Sequence, residues 1–394
     1  MNPEEFANSP AGRIQHVQGP GGPYAAFVPN TPPASFAKLR LPPDLTLLIA
    51  EAENALGRLA GFARTLPALL PQPDLLIIPQ IRLEAAASTR IEGTLISTEE
   101  VQRYEVIAAP QERQEDFAEV QAYIGALNHG LQLVDGGMPI SVRLAREVHR
   151  VLMQGGPAGR RSRTPGKLRR VQNYIGPPGS TVQNARYVPP PPDLVPGLLT
   201  DWERAANRHG VLPLLVQGAL LHYQFEAIHP FDDGNGRVGR LLFKLMLHER
   251  RALPYPLLNL SGYFERHRSE YQDCLLEVSR SGGWARWLQF FLRGCSEQSE
   301  GAYANATAAI ALRESYRQAL ERSSAPASAY SLLDLLFLNP TITARHAEQR
   351  LGISLPTALK AIETLEELGV LIDDTPERQR GKVYTARGIQ ALYA

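Results

Sequence analysis

Apolar and polar positions alternate along this chain in a way that predicts helices over most of its length. From Asp44, the stretch TLLIAEAENALGRLAGFARTL repeats apolar residues every three or four positions, the spacing of one helix face. A second helix is predicted over IIPQIRLEAAASTRIEG, stopped at Gly93. EDFAEVQAYIGALNHGLQLV and VLPLLVQGALLHYQFEAI carry the same period, and GGWARWLQFFLRG reads as a further buried helix. Two stretches break the pattern. Residues 1 to about 45 are too rich in Pro and Gly for regular helix and read as an extended arm. GKLRRVQNYIGPPGSTVQNARYVPPPP alternates Val, Tyr and Ile with turn residues, which predicts a hairpin or flap closed by the stiff run Pro189 to Pro192. The last seventy residues read helix, helix, turn at Gly352, helix, then two short strands, an order that resembles a winged helix-turn-helix.

Composition adds little beyond class. At 394 residues with 44% hydrophobic and 21% charged side chains, the chain reads as an ordinary globular protein of two or three domains. A net charge of +1 provides no field that would gather nucleic acid or an anionic membrane. Cys274 and Cys295 are too few for a disulfide framework and suit a reducing compartment. No secretory signal and no apolar run of membrane-spanning length is evident, so the expectation is a soluble cytoplasmic protein.

The chemistry concentrates in Ile228-His-Pro-Phe-Asp-Asp-Gly-Asn-Gly-Arg-Val-Gly-Arg240. His229-Pro230 stops one helix, because proline disfavours helix in the residue before it. A new helix begins around Gly236, so Gly234, Asn235 and Gly236 lie at a helix N-terminus. Unpaired N–H groups and the dipole there favour an anion, phosphate above all. Glycines let the backbone approach that anion closely. Arg237 and Arg240 are three apart and share a face toward it. Asp233 is a hard oxygen ligand suited to Mg²⁺ bridging phosphates. His229 alone in the loop has an ordinary pKa suited to proton transfer near neutrality. Together these parts describe transfer of a phosphate-containing group from a nucleotide to a hydroxyl.

The string agrees with HPF-x-D-G-N-G-R-x-x-R, the signature of the Fic family, at all nine specified positions. Chance agreement is on the order of 10⁻¹² per starting point at average residue frequencies. YAAFVPN, ALGRLAGF, EAAASTRIEGT, TPGKLRRVQNYIG, HYQFEAIHPF and SGYFERHRSEY are similar to family segments too, spanning roughly residues 24 to 275. The resemblance implies a mainly α fold: a Fic (Fido) helical core with a β-hairpin flap, followed by a winged helix-turn-helix. It implies residues 1–113 as an N-terminal region, 114–300 as the catalytic core, 301–324 as a helical linker and 325–394 as the winged helix. It also implies protein adenylylation, in which AMP moves from ATP to a Ser, Thr or Tyr hydroxyl with Mg²⁺ present.

Under that resemblance His229 is the general base and Asp233 holds Mg²⁺. Gly234, Asn235 and Gly236 cradle the phosphates, Arg237 faces the α- and β-phosphates, Arg240 the γ-phosphate, and Val238 and Gly239 complete the nucleotide-binding set. Phe231 is read as a core anchor, and Tyr263 and Phe264 as lining the adenine pocket. Gly236 favours adenylylation over a phosphotransferase branch that has Lys there. The flap, through Val171 to Ile175 and Arg186 to Val188, would bind target proteins by strand addition.

Ser88-Thr-Arg-Ile-Glu92-Gly93 resembles the family's inhibitory helix motif S/T-x-x-x-E-G/N. Ser88 and Glu92 are four apart, on one helix face, and Glu92 is expected to meet Arg240 in a bidentate pair that occupies the guanidinium needed by ATP. Self-modification and homodimer formation are compatible with this reading. Three other readings compete with this one. His222 and His229, two turns apart, could build a metal-hydrolase site with Asp232 or Asp233. The chain could also be a DNA- or protein-binding regulator whose Fic core is secondary, or use another nucleotide chemistry. From Ala325 on, Lys360, Lys382 and five Arg face three Asp and five Glu, and the third helix, LPTALKAIETLEEL, offers one Lys against three Glu. Strong DNA binding needs a basic face, so protein contact is favoured for this unit.

Overall fold

Thirteen of the fifteen residues of one helix, Leu214–Ile228, are buried, and the rest of the chain is arranged around it. A helix apolar on every side belongs in a core. The computed structural model describes residues 1–19, 21–31, 42–70, 72–155 and 164–393. The helices are α1 (Pro43–Leu69), α2 (Asp74–Ile91), α3 (Thr98–Tyr104), α4 (Gln114–Asp135), α5 (Val142–Gly155), α6 (Val195–Ala206), α7 (Leu214–Ile228), α8 (Asn235–Glu249), α9 (Leu260–Arg266), α10 (Arg268–Ser281), α11 (Trp284–Arg322), α12 (Ala327–Leu338), α13 (Ala344–Leu351), α14 (Leu355–Glu367) and α15 (Arg387–Gln390). The architecture is mainly α with small antiparallel sheets, as expected. Among the described residues no helix is long and apolar enough to cross a membrane.

The N-terminal expectation needs correction. Residues 12–29 form a hairpin of β1 (Gly12–Gly19) and β2 (Gly22–Pro29), in register from Gly12 opposite Pro29 to Gly19 opposite Gly22. The glycines that argued against regular structure serve close approach instead. A Cβ on Gly12 would overlap the Phe27 ring. Phe27 is fully buried, 5.6 Å from Phe6 and 6.1 Å from Tyr187 by ring centroids, and its N–H donates to Val188 O at 2.9 Å. The hairpin therefore braces the end of the flap. Leu41, at the end of the expected arm, lies outside the described residues. The flap itself is sparer than a full hairpin, with a single antiparallel bridge between Ile175 and Tyr187.

Helix α2 is pinned at its middle. Glu84, 1% exposed, accepts from Tyr123 Oη of α4 at 3.0 Å and from the N–H of Ser261 in α9 at 3.1 Å. It also accepts from Ser261 Oγ and pairs with Lys244 Nζ of α8 at 3.2 Å. A buried carboxylate is tolerated when paired and hydrogen-bonded in this way.

The C-terminal elements dock on the same helix. β3 (Thr341–Ile342), β4 (Ile372–Asp373) and β5 (Tyr384–Thr385) form an antiparallel sheet in the order β3–β5–β4 beside α12 to α14. Arg82 of α2 pairs with Glu105 and donates to Leu338 O. Asn339 donates to Gln102 O at 2.9 Å and to Glu105 at 3.2 Å. The boundary expected after residue 300 falls inside α11, which runs unbroken from Trp284 to Arg322.

Candidate active site

Helix α7 ends at His229, whose φ of 49° and ψ of 61° place it in the left-handed region. A residue other than Gly there bears a cost of about 1–2 kcal/mol, which surrounding contacts must offset. Phe231 is fully buried and stacked on His149, ring centroids 3.8 Å apart and planes at 5°. Asn235 clasps the turn: its Oδ1 accepts from Phe231 N–H at 2.8 Å and its Nδ2 donates to Phe231 O at 2.9 Å. The Asn235 amide is thus spent on shaping the loop, and only its main-chain N–H is left to meet an anion. Gly234 has φ 78° and begins α8, and a Cβ there would lie 2.9 Å from Met153 Sδ. Among the described residues no side chain at the N-cap hydrogen-bonds the first N–H groups of α8.

That cavity has a volume of about 610 Å³. Glu92, His229, Gly236 and Arg240 line it together with Tyr271 and Gln272 of α10. Arg240, 4% exposed, donates from Nε to Ser88 Oγ at 2.8 Å. Its Nη2 donates to Ser88 O at 2.9 Å and to Glu92 Oε1 at 2.7 Å. The pair is therefore single-contact rather than bidentate, because Ser88 takes the Nε edge of the guanidinium. A Cβ on Gly236 would overlap the Glu92 carboxylate, so that carboxylate stands directly over the first turn of α8.

Glu92 caps the C-terminal end of α2, where the helix dipole disfavours an anion. Burial also pushes its carboxyl up, but Arg240, with Arg237 and His229 behind it, outweighs this and holds it below the ordinary carboxylate range. Burial alone would lower the Arg240 pKa; the Glu92 charge raises it above the usual arginine value.

His229 Nδ1 lies 3.3 Å from Glu226 O, a bond that makes Nδ1 the donor and leaves Nε2 free to accept a proton. Burial first, then the charge of Arg169, bring its pKa down to about 4, so the imidazole is neutral at physiological pH. Arg237, 7% exposed, stands 3.6 Å from Asp233 and 4.0 Å from Glu119. Its Nε has no hydrogen-bond partner among the described residues. The Asp233 side chain is 58% exposed, and its Oδ1 accepts from Gly234 N–H at 2.6 Å. Val238 is buried on α8, its N–H returning to Gly234 O at 3.0 Å. Gly239 leaves room for Glu226, whose Oε1 would lie 2.6 Å from a Cβ there.

Tyr263 and Phe264 do not line the cavity. Tyr263, 6% exposed, packs on Phe290 at 5.1 Å, and Phe264, 1% exposed, stacks on Tyr271 at 4.4 Å. Phe264 backs the residue that does line it. The paired-histidine alternative fails on geometry as well. His222 is enclosed among aromatic rings with Nε2 2.7 Å from Tyr271 Oη, and no group of three or more His, Cys, Asp or Glu among the described residues is placed to hold a metal.

Three residues near the loop escaped sequence reasoning. His149 Nδ1 accepts from Gly166 N–H at 2.9 Å, so Nε2 carries the proton and donates to Asp233 O at 3.1 Å. Asn173 donates to Phe231 O at 3.0 Å, and Arg169 donates to His229 O at 2.8 Å. All three reach the loop from far along the chain; the local TPGKLRRVQN pattern marked the region of Arg169 and Asn173, and nothing marked His149.

Residues 139–247 match the Fic/DOC family and residues 46–132 match the Fic/DOC family N-terminal region. A probable protein adenylyltransferase of Aquifex aeolicus is 32% identical over 96 residues, 24% of this chain and 30% of that protein. The protein adenylyltransferase Fic of Culex quinquefasciatus is 29% identical over 147 residues, 37% of this chain and 26% of that protein. The chain thus spans less than a third of either relative. A Fic family protein from Desulfovibrio desulfuricans shares the fold with a TM-score of 0.54 at 20% identity, covering 88% of this chain and 96% of that one. A Fic domain-containing signaling protein from Bacteroides thetaiotaomicron shares it with a TM-score of 0.52 at 21% identity, covering 65% and 96%. With both regions matched, the fold shared and the loop from His229 to Arg240 in place, the chain belongs to the Fic/DOC family.

Proposed function

We propose that this protein is an adenylyltransferase that moves AMP from ATP to a Ser, Thr or Tyr hydroxyl of a protein and is restrained by Glu92. The observation that carries the reading is the convergence of His229, the α8 N-terminus and Arg240 on one cavity, with Glu92 over Gly236. The hydroxyl oxygen attacks the α-phosphorus, the bond to the β-phosphate oxygen breaks, and pyrophosphate leaves. The hydroxyl proton passes to His229 Nε2. The open N–H groups of α8 and the guanidinium of Arg237 stabilise charge on the phosphates. Asp233, an exposed carboxylate just before the α8 N-terminus, is the residue that would hold Mg²⁺, which would supply neutralisation of phosphate charge there.

In the resting protein the Glu92 carboxylate takes the place of a phosphate at Arg240. The exposed flap residues Val171 and Tyr174 support docking of an extended target segment. We read the C-terminal unit as a winged helix serving protein contact. The exposed face of α14 presents Leu359, Glu363, Glu366 and Glu367 against Lys360, which is unsuited to a phosphate backbone. We place the protein in the cytoplasm, a reading that the free, buried Cys274 and Cys295 support.

The test is incubation of the full chain and its Glu92→Gly variant with α-labelled ATP, Mg²⁺ and a cell lysate. Labelled protein bands from the variant, absent when His229→Ala is added, are expected. Absence of label from Glu92→Gly, or equal label from γ-labelled ATP, would overturn the proposal.

A further inference from the structure

Arg169 stands where the flap leaves the core and is 2% exposed. Its Nε donates to His229 O at 2.8 Å. Nη2 donates to Pro190 O and, at 3.4 Å, to Ile228 O, while Nη1 reaches Val171 O at 3.4 Å. Its own N–H donates to Pro230 O at 2.9 Å. One residue thereby satisfies the carbonyl of Ile228, the last of α7 and one that a helix leaves unpaired at its C-terminal end, and those of His229 and Pro230 just beyond it. A cation there also sits at the favourable end of the α7 dipole.

The charge of Arg169 is not neutralised locally. Among the described residues its hydrogen-bond partners are all main-chain carbonyls, and Asp232 acts on it only through space. Burial brings its pKa down to about 10, so it stays charged at neutral pH. That charge acts through space on the His229 ring and is second only to burial in disfavouring the imidazolium. Among the described residues, the other ionisable groups that act on His229 or share its cavity are Glu92 from α2, Tyr174, Arg186 and Tyr187 from the flap, Tyr223 and Glu226 from α7 itself, Asp233 from the loop, Arg240 from α8, and Arg268 and Tyr271 from α10. Glu92 and Asp233 act in the opposite sense to Arg169.

We propose that Arg169 is a positioning residue for the general base: its fork locks His229 in the left-handed cap, and its uncancelled charge keeps the imidazole neutral and ready to take the hydroxyl proton. The inference rests on the adenylyl-transfer reading of His229. It also makes the flap more than a docking edge, because the segment that would receive the target carries the residue that sets the acceptor.

The experiment uses the full chain with Glu92→Gly and compares Arg169→Gln, which keeps an amide donor and loses the charge, with Arg169→Lys, which keeps the charge and loses the fork. Initial rates of labelled AMP incorporation are followed against ATP concentration and pH. The His229 ring is titrated by proton NMR, its signal assigned with a His229→Asn variant. Misplacing a catalytic group by about 1 Å can cost on the order of 10²-fold. Both substitutions should therefore lower kcat at least about tenfold and leave the KM for ATP within about twofold. The His229 midpoint should move up toward the ordinary histidine range in Arg169→Gln and stay down in Arg169→Lys.

Thermal melts establish that each variant is folded, and if Arg169→Gln does not fold, the kcat and KM of Arg169→Lys decide the positioning role. A folded Arg169→Gln protein with an unchanged His229 midpoint, or a loss seen in KM with kcat intact, would overturn the inference. Should Glu92→Gly itself transfer no AMP, the activity reading falls, and the NMR midpoints still decide what Arg169 does to His229.

Discussion

Glu92 Oε1 lies 2.7 Å from Arg240 Nη2, and the same carboxylate covers Gly236 at the start of α8. One acidic side chain therefore occupies both the guanidinium and the helix terminus that phosphates would use. Ser88 holds Arg240 in place for it through Nε and Nη2. Ion pairs of this partly buried kind are stronger than surface ones, since desolvation sharpens the attraction.

Glu92→Gly frees Arg240 and should raise self-incorporation of labelled AMP at least about tenfold, a factor that corresponds to about 1.4 kcal/mol. Arg240→Ala in the same background should lose the gain, because the γ-phosphate then lacks its partner. Equal incorporation by parent and single variant would return Glu92 to an ordinary helix-end role.

Ser88→Ala should act in the same direction but less strongly. It removes the acceptor for Arg240 Nε while leaving the Ser88 carbonyl and Glu92 in place. A buried donor left unpaired costs about 1–3 kcal/mol, which denaturant unfolding can read. Incorporation above that of Glu92→Gly would contradict the ranking.

His229→Ala should abolish transfer while ATP still binds, since base and phosphate site are separate groups. Loss of general-base catalysis costs on the order of 10²–10⁴ in rate. The assay is single-turnover transfer beside ATP binding by calorimetry, both in the Glu92→Gly background. Transfer above about a tenth of the Glu92→Gly rate would remove His229 from the role.

Asp233→Asn should shift the Mg²⁺ midpoint for nucleotide binding to higher concentration, because a neutral amide is a poorer ligand for a hard cation. Titration of Mg²⁺ at fixed ATP measures this. Coincident midpoints would point to Asp232 instead.

Glu226 sets a pH dependence of stability. Burial, opposed by Arg240 and aided by Glu92, pushes its carboxyl up to about 8. Between its ordinary range and pH 8 the folded protein retains a proton that the unfolded chain has released, so this group favours folding less as pH rises across that window. Glu226→Gln removes the titration. The melting temperature of the variant relative to the parent should increase from pH 5 to pH 9 by at least about 2 °C. A constant difference would show that Glu226 is already ionised in the folded state.

The loop from His229 to Arg240 was legible because its turn, its glycines and its charges are all local in sequence. Ser88 and Glu92 were legible for the same reason, being one helical turn apart. What was not legible depends on chain segments meeting in space. Nothing in TPGKLRRVQN says that Arg169 will reach the carbonyl of a histidine sixty residues on. Tyr263 and Phe264 carry the apolar pattern of a pocket wall or of a core with equal force, and packing on Phe290 and Tyr271 decided for the core. The Gly- and Pro-rich start misled because glycine signals a turn and a tight strand contact with the same letter. Gly12 against Phe27 is the second kind.

The four-way anchoring of Glu84 bears on how quickly Arg240 can change hands. With that carboxylate held by Tyr123, Ser261 and Lys244, α2 is fastened to three other helices about two turns before Glu92. Rigid-body shifts of packed helices take microseconds to milliseconds, whereas rotamer changes of exposed side chains take picoseconds to nanoseconds. The Glu92 side chain is 38% exposed while Ser88 is fully buried. Withdrawal of the Glu92 carboxylate from Arg240 would thus need only rotation about the bonds of one side chain on a fixed helix, with no shift of α2 itself.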